Sequence, residues 1–307
     1  MKKLSIVLSL TTSDNDYQRE QAAAAKGLAL RLGVDLQILY AANDAINQSQ
    51  QLLNVVQSRS TPRPDGIVFE PAGTGLSQVA REATRSGIAW AVLNREVDYV
   101  AALRRMYRVP VFAISSNHEE VGRIQGRQLG ALLPRGGMVL HIEGPASSSA
   151  AQQRTVGFHE TRPASIQVRS LRGQWTEESA YKAVSAWLRL STSRTLPIEA
   201  IVAQNDAMAL GARKAFQAEA SGADRERWMS LPYFGVDGLP HTGAAWVRSG
   251  QLTATVVVPP NAGIAVEIMV RAIQTSSQPE EHSLTAPKSL PAVEELSRYA
   301  LRALART

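Results

Sequence analysis

Cysteine is absent from all 307 residues. That excludes a disulfide framework, a thiolate zinc site, an iron–sulfur cluster and a cysteine nucleophile. Aromatic residues are scarce, at 6%, so the core must be built mainly from Ala, Val, Leu and Ile. No stretch reaches the roughly 18 consecutive apolar residues that span a bilayer. Met1-Lys2-Lys3 and the apolar run 4–10 have the flavour of a signal peptide. The run is too short, however, and Thr11-Thr12-Ser13-Asp14 ends it without a small-residue cleavage pattern. A first strand is expected there, in a soluble chain that is periplasmic if an export signal was trimmed and otherwise cytoplasmic. Walker A, HExxH and GxSxG sequences are missing too, and His118, His141, His159, His241 and His282 lie too far apart to suggest a metal site. No metal and no cofactor is expected. The 33 basic residues exceed the 27 acidic ones by only six. They are scattered, as Arg104, Arg127, Arg213 and Arg227 illustrate, which describes a solvated surface and not a nucleic-acid footprint.

What is present is ordinary globular composition, 44% hydrophobic and 20% charged, carrying a repeated pattern. Short apolar runs at 4–10, 35–40, 66–70 and 89–93 read as strands. Helix-period segments over 17–32, after Asp44 (with Ile46, Leu53 and Val56 on one face) and over 76–85 alternate with them. The pattern restarts near 115–122. Strands are expected at 111–114, 138–142, 167–171, 200–203, 233–236 and 252–258, and helices at 119–133, 151–160, 177–190, 207–218, 262–273 and 293–305. Strands separated by helices, with no two close enough for a hairpin, imply an α/β fold with parallel sheets covered on both faces.

In open parallel sheets ligands bind beyond the carboxyl ends of the strands. The residues there are rich in hydrogen-bonding groups: Ser13-Asp14-Asn15-Asp16-Tyr17, Asn94-Arg95, Ser115-Ser116-Asn117, Gln204-Asn205-Asp206 and Asp237. Asn, Asp and Ser also gather after strands because they cap helices, and Asp44 and Asp206 read first as caps. Asn94-Arg95 has no helix starting at once, so the capping explanation is weaker there. Gly73-Thr74-Gly75 lacks the third glycine of a dinucleotide loop, which Gln78 replaces. His118, beside Glu119 and Glu120, reads as a surface group at a helix start. Trp90, Trp187, Trp228 and Trp246 read as packing residues. Trp175 falls in the polar turn 172–177, where an aromatic can stack on a sugar or base.

Seven segments together resemble the type I periplasmic sugar-binding proteins, those of the ribose-binding kind above all. They are LYAANDAINQ (39–48), DGIVFEP (65–71), GIAWAVLNR (87–95), SSNHEEVGRIQG (115–126), AQNDAMALG (203–211), FGVDG (234–238) and GQLTATV (250–256). They cover most of the chain in the family's order, and AQNDAMALG is the most specific. The same fold serves as the effector domain of lactose-repressor-type regulators, whose DNA-binding helix-turn-helix would have to precede the sheet that begins here at Leu4.

The resemblance implies two Rossmann-like lobes joined by a three-segment hinge, 1–115 with 259–288 and 116–258 with 289–307, closing on a ligand held in the cleft between them. Carried over by position, the ligand residues are Asn15, Tyr17, Asn94, Arg95 and Ser115 from one lobe and Gln152, Trp175, Asn205 and Asp237 from the other. Arg is a planar fork of donors, Asp accepts from two adjacent hydroxyls and Asn does both, while Tyr17 and Trp175 would sandwich the ring. Family sugar binders usually carry Asp at Asn94, Arg at Gln152, Gln at Val258, and aromatics at Gln18 and Val236. This leaves Arg95 and Asp237 as the expected charged pair and points to a neutral ligand. The implied function is non-catalytic binding of a small neutral sugar or polyol by a monomer, delivering it to an ABC-transporter permease or a membrane sensor. The alternatives are a cytoplasmic effector-sensing domain without DNA-binding machinery, and an enzyme using Asp14, Asp16 and Asp237.

Overall fold

The computed structural model describes residues 3–73, 76–193 and 196–304. Thr74 and Gly75 of the glycine turn and Ala305 of the expected last helix lie outside the described residues, as do Met1 and Lys2. The chain forms two units, Met1–Ser116 with Pro260–Thr285 and Asn117–Pro259 with Ala286–Thr307. It therefore passes between units three times.

In the first unit, β1 (Ser5–Leu10), β2 (Asp35–Tyr40), β3 (Gly66–Phe69), β4 (Ala89–Leu93) and β5 (Val111–Ser116) alternate with α1 (Asp16–Leu32), α2 (Ala45–Gln57), α3 (Ser77–Arg85) and α4 (Val100–Met106). The second unit follows with α5 (His118–Leu132), β6 (Gly137–Glu143), α6 (Ser149–Thr161), β7 (Ile166–Arg172), α7 (Glu177–Leu188), β8 (Ile198–Ala203), α8 (Asp206–Glu219), α9 (Gly222–Ser230), β9 (Tyr233–Asp237), α10 (Gly243–Arg248) and β10 (Ala254–Val257). The chain returns to the first unit for α11 (Asn261–Thr275) and β11 (His282–Thr285), then ends in the second with β12 (Lys288–Leu290) and α12 (Val293–Leu304).

The sheet orders are β11-β5-β4-β3-β1-β2 and β12-β10-β9-β8-β6-β7. All pairings are parallel except β10 with β12. The strand order reverses between β1 and β3 in one unit and between β6 and β8 in the other, so each unit has its own switch point.

Side-chain alternation divides each sheet into two packed faces. Ile6, Leu8 and Leu10 join α1 and α11 on one face, whereas Val7 joins α2, α3 and α4 on the other. In the second unit Leu140 and Ile142 meet α7, α8 and α9, while Val139 meets α5, α6 and α12. The few aromatics are concentrated: Phe216 stacks on Trp228 at 4.4 Å and Trp187 lies edge-on to both. Trp90 is buried against Phe69 at 4.7 Å.

Local signals account for the long helices. α1 starts at the Asn15 cap and stops where Gly33 turns left-handed at φ +66°, its N–H donating to the Ala29 and Leu30 carbonyls. On α2 the expected apolar face is corrected, because Ile46 is 82% exposed and the buried positions are Gln48, Leu52 and Val56. Gln48 turns inward because its amide donates to Ser9 Oγ (3.1 Å) and the Glu70 carbonyl (2.8 Å).

α5 and α6 pack backbone to backbone: a β-carbon on Gly157 would lie 1.9 Å from the Glu119 carbonyl oxygen, and one on Gly122 2.0 Å from that of Arg154. Gly157→Ala is therefore expected to cost at least about 1–3 kcal/mol, the range for overpacking. Gly27→Ala has open space at an exposed mid-helix position and should instead stabilise by about 0.5–1 kcal/mol. Urea unfolding of the two variants checks both signs. Equal effects would show that the contact between α5 and α6 is looser than described.

Candidate functional site

At the carboxyl edge of the first unit, Asn15 Oδ1 accepts from the Tyr17 N–H (2.8 Å) and the Gln18 N–H (3.3 Å). Asn15 thus caps α1, and Tyr17 is half-buried on the first turn. Gln18, at a family aromatic position, points inward and donates from Nε2 to Glu70 Oε2 at 3.0 Å. Glu70 follows β3 and is 3% exposed. It also accepts from Asn94 Nδ2 (3.2 Å) and lies 3.6 Å from Arg95 Nη1. Arg95 therefore has a carboxylate within its own unit. In the sequence alone Glu70 reads only as the end of a strand before Pro71. The available signal was an acid closing an otherwise apolar run.

Asn94 is 2% exposed and left-handed at φ +55°. Its Oδ1 accepts from Asn261 Nδ2 at 2.6 Å, and its carbonyl accepts from Arg95 Nη1 at 2.8 Å. Ser115 is half-buried at the end of β5, donating from Oγ to the Ser116 carbonyl at 3.1 Å. Of the acids considered for catalysis, Asp16 pairs with Arg19 and Asp14 accepts from Ser13 Oγ at 3.3 Å.

At the carboxyl edge of the second unit, Trp175 takes φ +65° after β7. It is not a free platform. The ring is half-buried against the core and sits over Gly144, where a β-carbon would lie 2.4 Å from it. The Arg154 guanidinium stands 5.4 Å from the ring centroid, a cation–π distance. Asn205 caps α8 by accepting from the Met208 N–H (2.9 Å), and its Nδ2 donates to the Trp175 carbonyl (2.9 Å).

The capping role expected of Asp206 is thereby corrected. Its carboxylate instead turns into the unit, accepting from the Gly238 N–H (2.7 Å) and Thr255 Oγ1 (2.6 Å). Burial pushes the Asp206 pKa well above the ordinary carboxylate range, and neighbouring Asp237 adds to the shift; the bonds from Thr255 and Gly238 and the charge of Arg154 only oppose it. Two carboxylates this close resist ionising together. Asp237 ends β9 with φ +110°.

Gln152 is exposed and folds back to donate to the Ala146 carbonyl at 2.8 Å. The buried basic residue of α6 is Arg154, which donates to the Gln204 carbonyl and lies 3.4 Å from His118 Nδ1. His118 is 4% exposed, which corrects its expected surface position: the start of α5 is covered by α6. His141 is buried on β6 and held neutral by that burial, its pKa lowered to about 3.

Six non-glycine residues among those described take positive φ, and Asn94, Trp175 and Asp237 are three of them. Each lies at or just beyond the end of a strand. Backbone conformations of this kind persist where the surroundings over-determine them, and they cluster at ligand sites. Among the described residues no group of three or more His, Asp or Glu could hold a metal ion, and no helix is long and apolar enough to cross a membrane.

A family model described as a periplasmic binding protein domain matches residues 6–277. The ribose import binding protein of Salmonella typhimurium is 27% identical over 85% of this chain and 81% of its own length. The D-apiose import binding protein of Actinobacillus succinogenes is 25% identical over 83% and 76%. An ABC-transporter periplasmic solute-binding protein from Actinobacillus succinogenes, solved with bound D-allose, superposes with a TM-score of 0.80 at 21% identity. That superposition covers 97% of this chain and 100% of the other, a likeness of fold. With its two largely parallel sheets, three interunit crossings and polar strand ends, the chain belongs to the periplasmic binding protein family.

Proposed function

We propose that the protein binds a small neutral sugar or polyol without chemical turnover, as the periplasmic solute-binding component of an ABC-type importer or sensor. The observation that carries this reading is the placement of Asn94, Trp175 and Asp237 at strand ends in left-handed conformations. The ligand would take Asn15, Tyr17, Asn94, Arg95 and Ser115 from one unit and Trp175, Asn205 and Asp237 from the other. Arg154, not Gln152, supplies the cation beside Trp175.

Charge supports a neutral ligand. Arg95 is offset by Glu70. In the second unit Asp206 is driven toward its protonated form, so Arg154 and Asp237 are left nearly balanced. An anionic ligand would meet no surplus cation. The named relatives bind ribose, apiose and allose, which agrees with a polyhydroxylated ligand here.

A thermal-shift panel of pentoses, hexoses, inositols and glycerol tests the proposal. A ligand that binds only the folded state adds about 2.7 kcal/mol at a hundredfold excess over Kd, so a true ligand raises the melting temperature by several degrees. A panel that leaves the melting temperature unmoved, with a shift appearing only for sugar phosphates, would overturn the neutral-ligand reading.

A further inference from the structure

Asn261 is completely buried at the start of α11, beside the second crossing between units. Its side chain reaches the other two crossings as well. Nδ2 donates to Ser116 Oγ at 3.2 Å, and Oδ1 accepts from Thr285 Oγ1 at 2.9 Å. Ser116 and Thr285 are the last first-unit residues before the chain crosses at each point. The same Nδ2 donates to Asn94 Oδ1 at 2.6 Å, and Asn94 Nδ2 donates to Glu70 Oε2 at 3.2 Å.

This chain of bonds has a direction. A carboxylate offers only acceptors, whereas an amide offers a donor end and an acceptor end. Glu70 therefore obliges Asn94 to present Nδ2 toward it and Oδ1 away from it. Asn261 must then turn its own Nδ2 toward Asn94 and its Oδ1 toward Thr285. The charge beside Arg95 thus sets the orientation of every amide out to the crossings.

We propose that Asn261 is a positioning residue for ligand binding, the middle of a directed hydrogen-bond relay that links the Glu70–Asn94–Arg95 cluster to all three crossings. Its meaning for ligand binding rests on the function proposed above, but its physical content does not.

The test is therefore made without ligand, by hydrogen exchange at the amides of 114–117, 261–262 and 284–286, which flank the three crossings. Asn261→Asp preserves volume but sets an acceptor against Asn94 Oδ1. Exchange at all three crossings should rise together by about tenfold, roughly what one net hydrogen bond is worth, while the β8 interior stays unchanged. Adding Glu70→Gln supplies a donor at position 70 and, with the Gln18 amide that shares Oε2 turned over as well, lets the Asn94 amide reverse. Its Nδ2 then meets the new carboxylate at 261, which still accepts from the Thr285 hydroxyl and gains the Ser116 hydroxyl once that group turns from accepting to donating. The double variant should recover most of the protection that Asn261→Asp loses. Asn261→Asp exchanging like the parent overturns the relay; so does a double variant no better protected than the single one, because a merely buried new carboxylate would gain nothing from Glu70→Gln. If Asn261→Asp does not fold, Thr285→Val removes the outermost bond to Asn261 together with the 3.4 Å contact between Thr285 Oγ1 and Ser116 Oγ. It should speed exchange at 261–262 as well as 284–286, and a change confined to 284–286 would contradict the proposal. A ligand panel without a hit would count against the proposed function and leave the relay to be judged by exchange alone.

Discussion

Glu70→Ala is expected to destabilise the protein by about 3 kcal/mol, the lower part of the range for removing one partner of a buried ion pair. The lower part applies because the Arg95 side chain keeps 18% exposure against 4% for Glu70, so the abandoned guanidinium retains some water. The Gln18 and Asn94 amides lose their acceptor in the same step. Affinity for any ligand found in the panel should fall as well, since Asn94 and Arg95 are released together. Glu70→Gln keeps the shape and one acceptor oxygen and should cost less. Urea unfolding with a common slope for all three proteins measures this. A loss under about 1 kcal/mol for Glu70→Ala, the size of one ordinary net hydrogen bond, would mean that Arg95 is held by something other than this carboxylate.

The second large effect belongs to Asp206. Asp206→Ala leaves the Gly238 N–H and the Thr255 hydroxyl without their acceptor, at about 1–3 kcal/mol for each buried orphan. It also frees the loop carrying Asp237. Asp206→Asn can keep both bonds, accepting from Gly238 and donating to Thr255, and should differ from the parent mainly in its pH dependence. Because the native pKa of Asp206 is raised, the unfolded chain releases this proton at a lower pH than the native one. Between the ordinary aspartate value of about 3.9 and the native value, the native state binds more protons, so its stability falls as pH rises. The amide introduced by Asp206→Asn cannot titrate there. The stability of that variant relative to the parent should therefore climb as pH rises through the window, then level off. Urea unfolding of both proteins across this pH range measures it, and a relative stability that falls with rising pH would contradict the assigned direction.

The alternation of strands and helices was legible because buried parallel strands are short apolar runs and their helices carry caps. Other elements left little trace. β11 and β12 are edge strands of four and three residues, partly exposed, without an apolar run. α9 buries only Trp228, and α4 and α10 are single short helices without a side-chain cap. The candidate site was legible where it depends on position, since polar residues after strands mark the carboxyl edges of the sheets. It was not legible where it depends on partners distant in sequence. Asn261 and Asn94 are 167 positions apart, and Arg154 differs from an ordinary helix arginine only by what covers it. The glutamines are a further case. Gln48, Gln125 and Gln128 look like solvent-facing helix residues, yet each is buried and donates to a carbonyl in or just after a strand: Glu70 (2.8 Å), Ala203 (2.8 Å) and Thr255 (3.0 Å). Their burial satisfies backbone groups that would otherwise be costly, and composition carries no sign of it.

Calorimetric titration of the best neutral sugar or polyol from the panel, beside a phosphorylated pentose under the same conditions, decides whether the protein is a receptor for neutral ligands. The neutral compound should bind saturably and one to one, while the phosphate gives no measurable heat. Tight binding of the phosphorylated compound with none of its neutral parent would overturn the neutral-ligand reading.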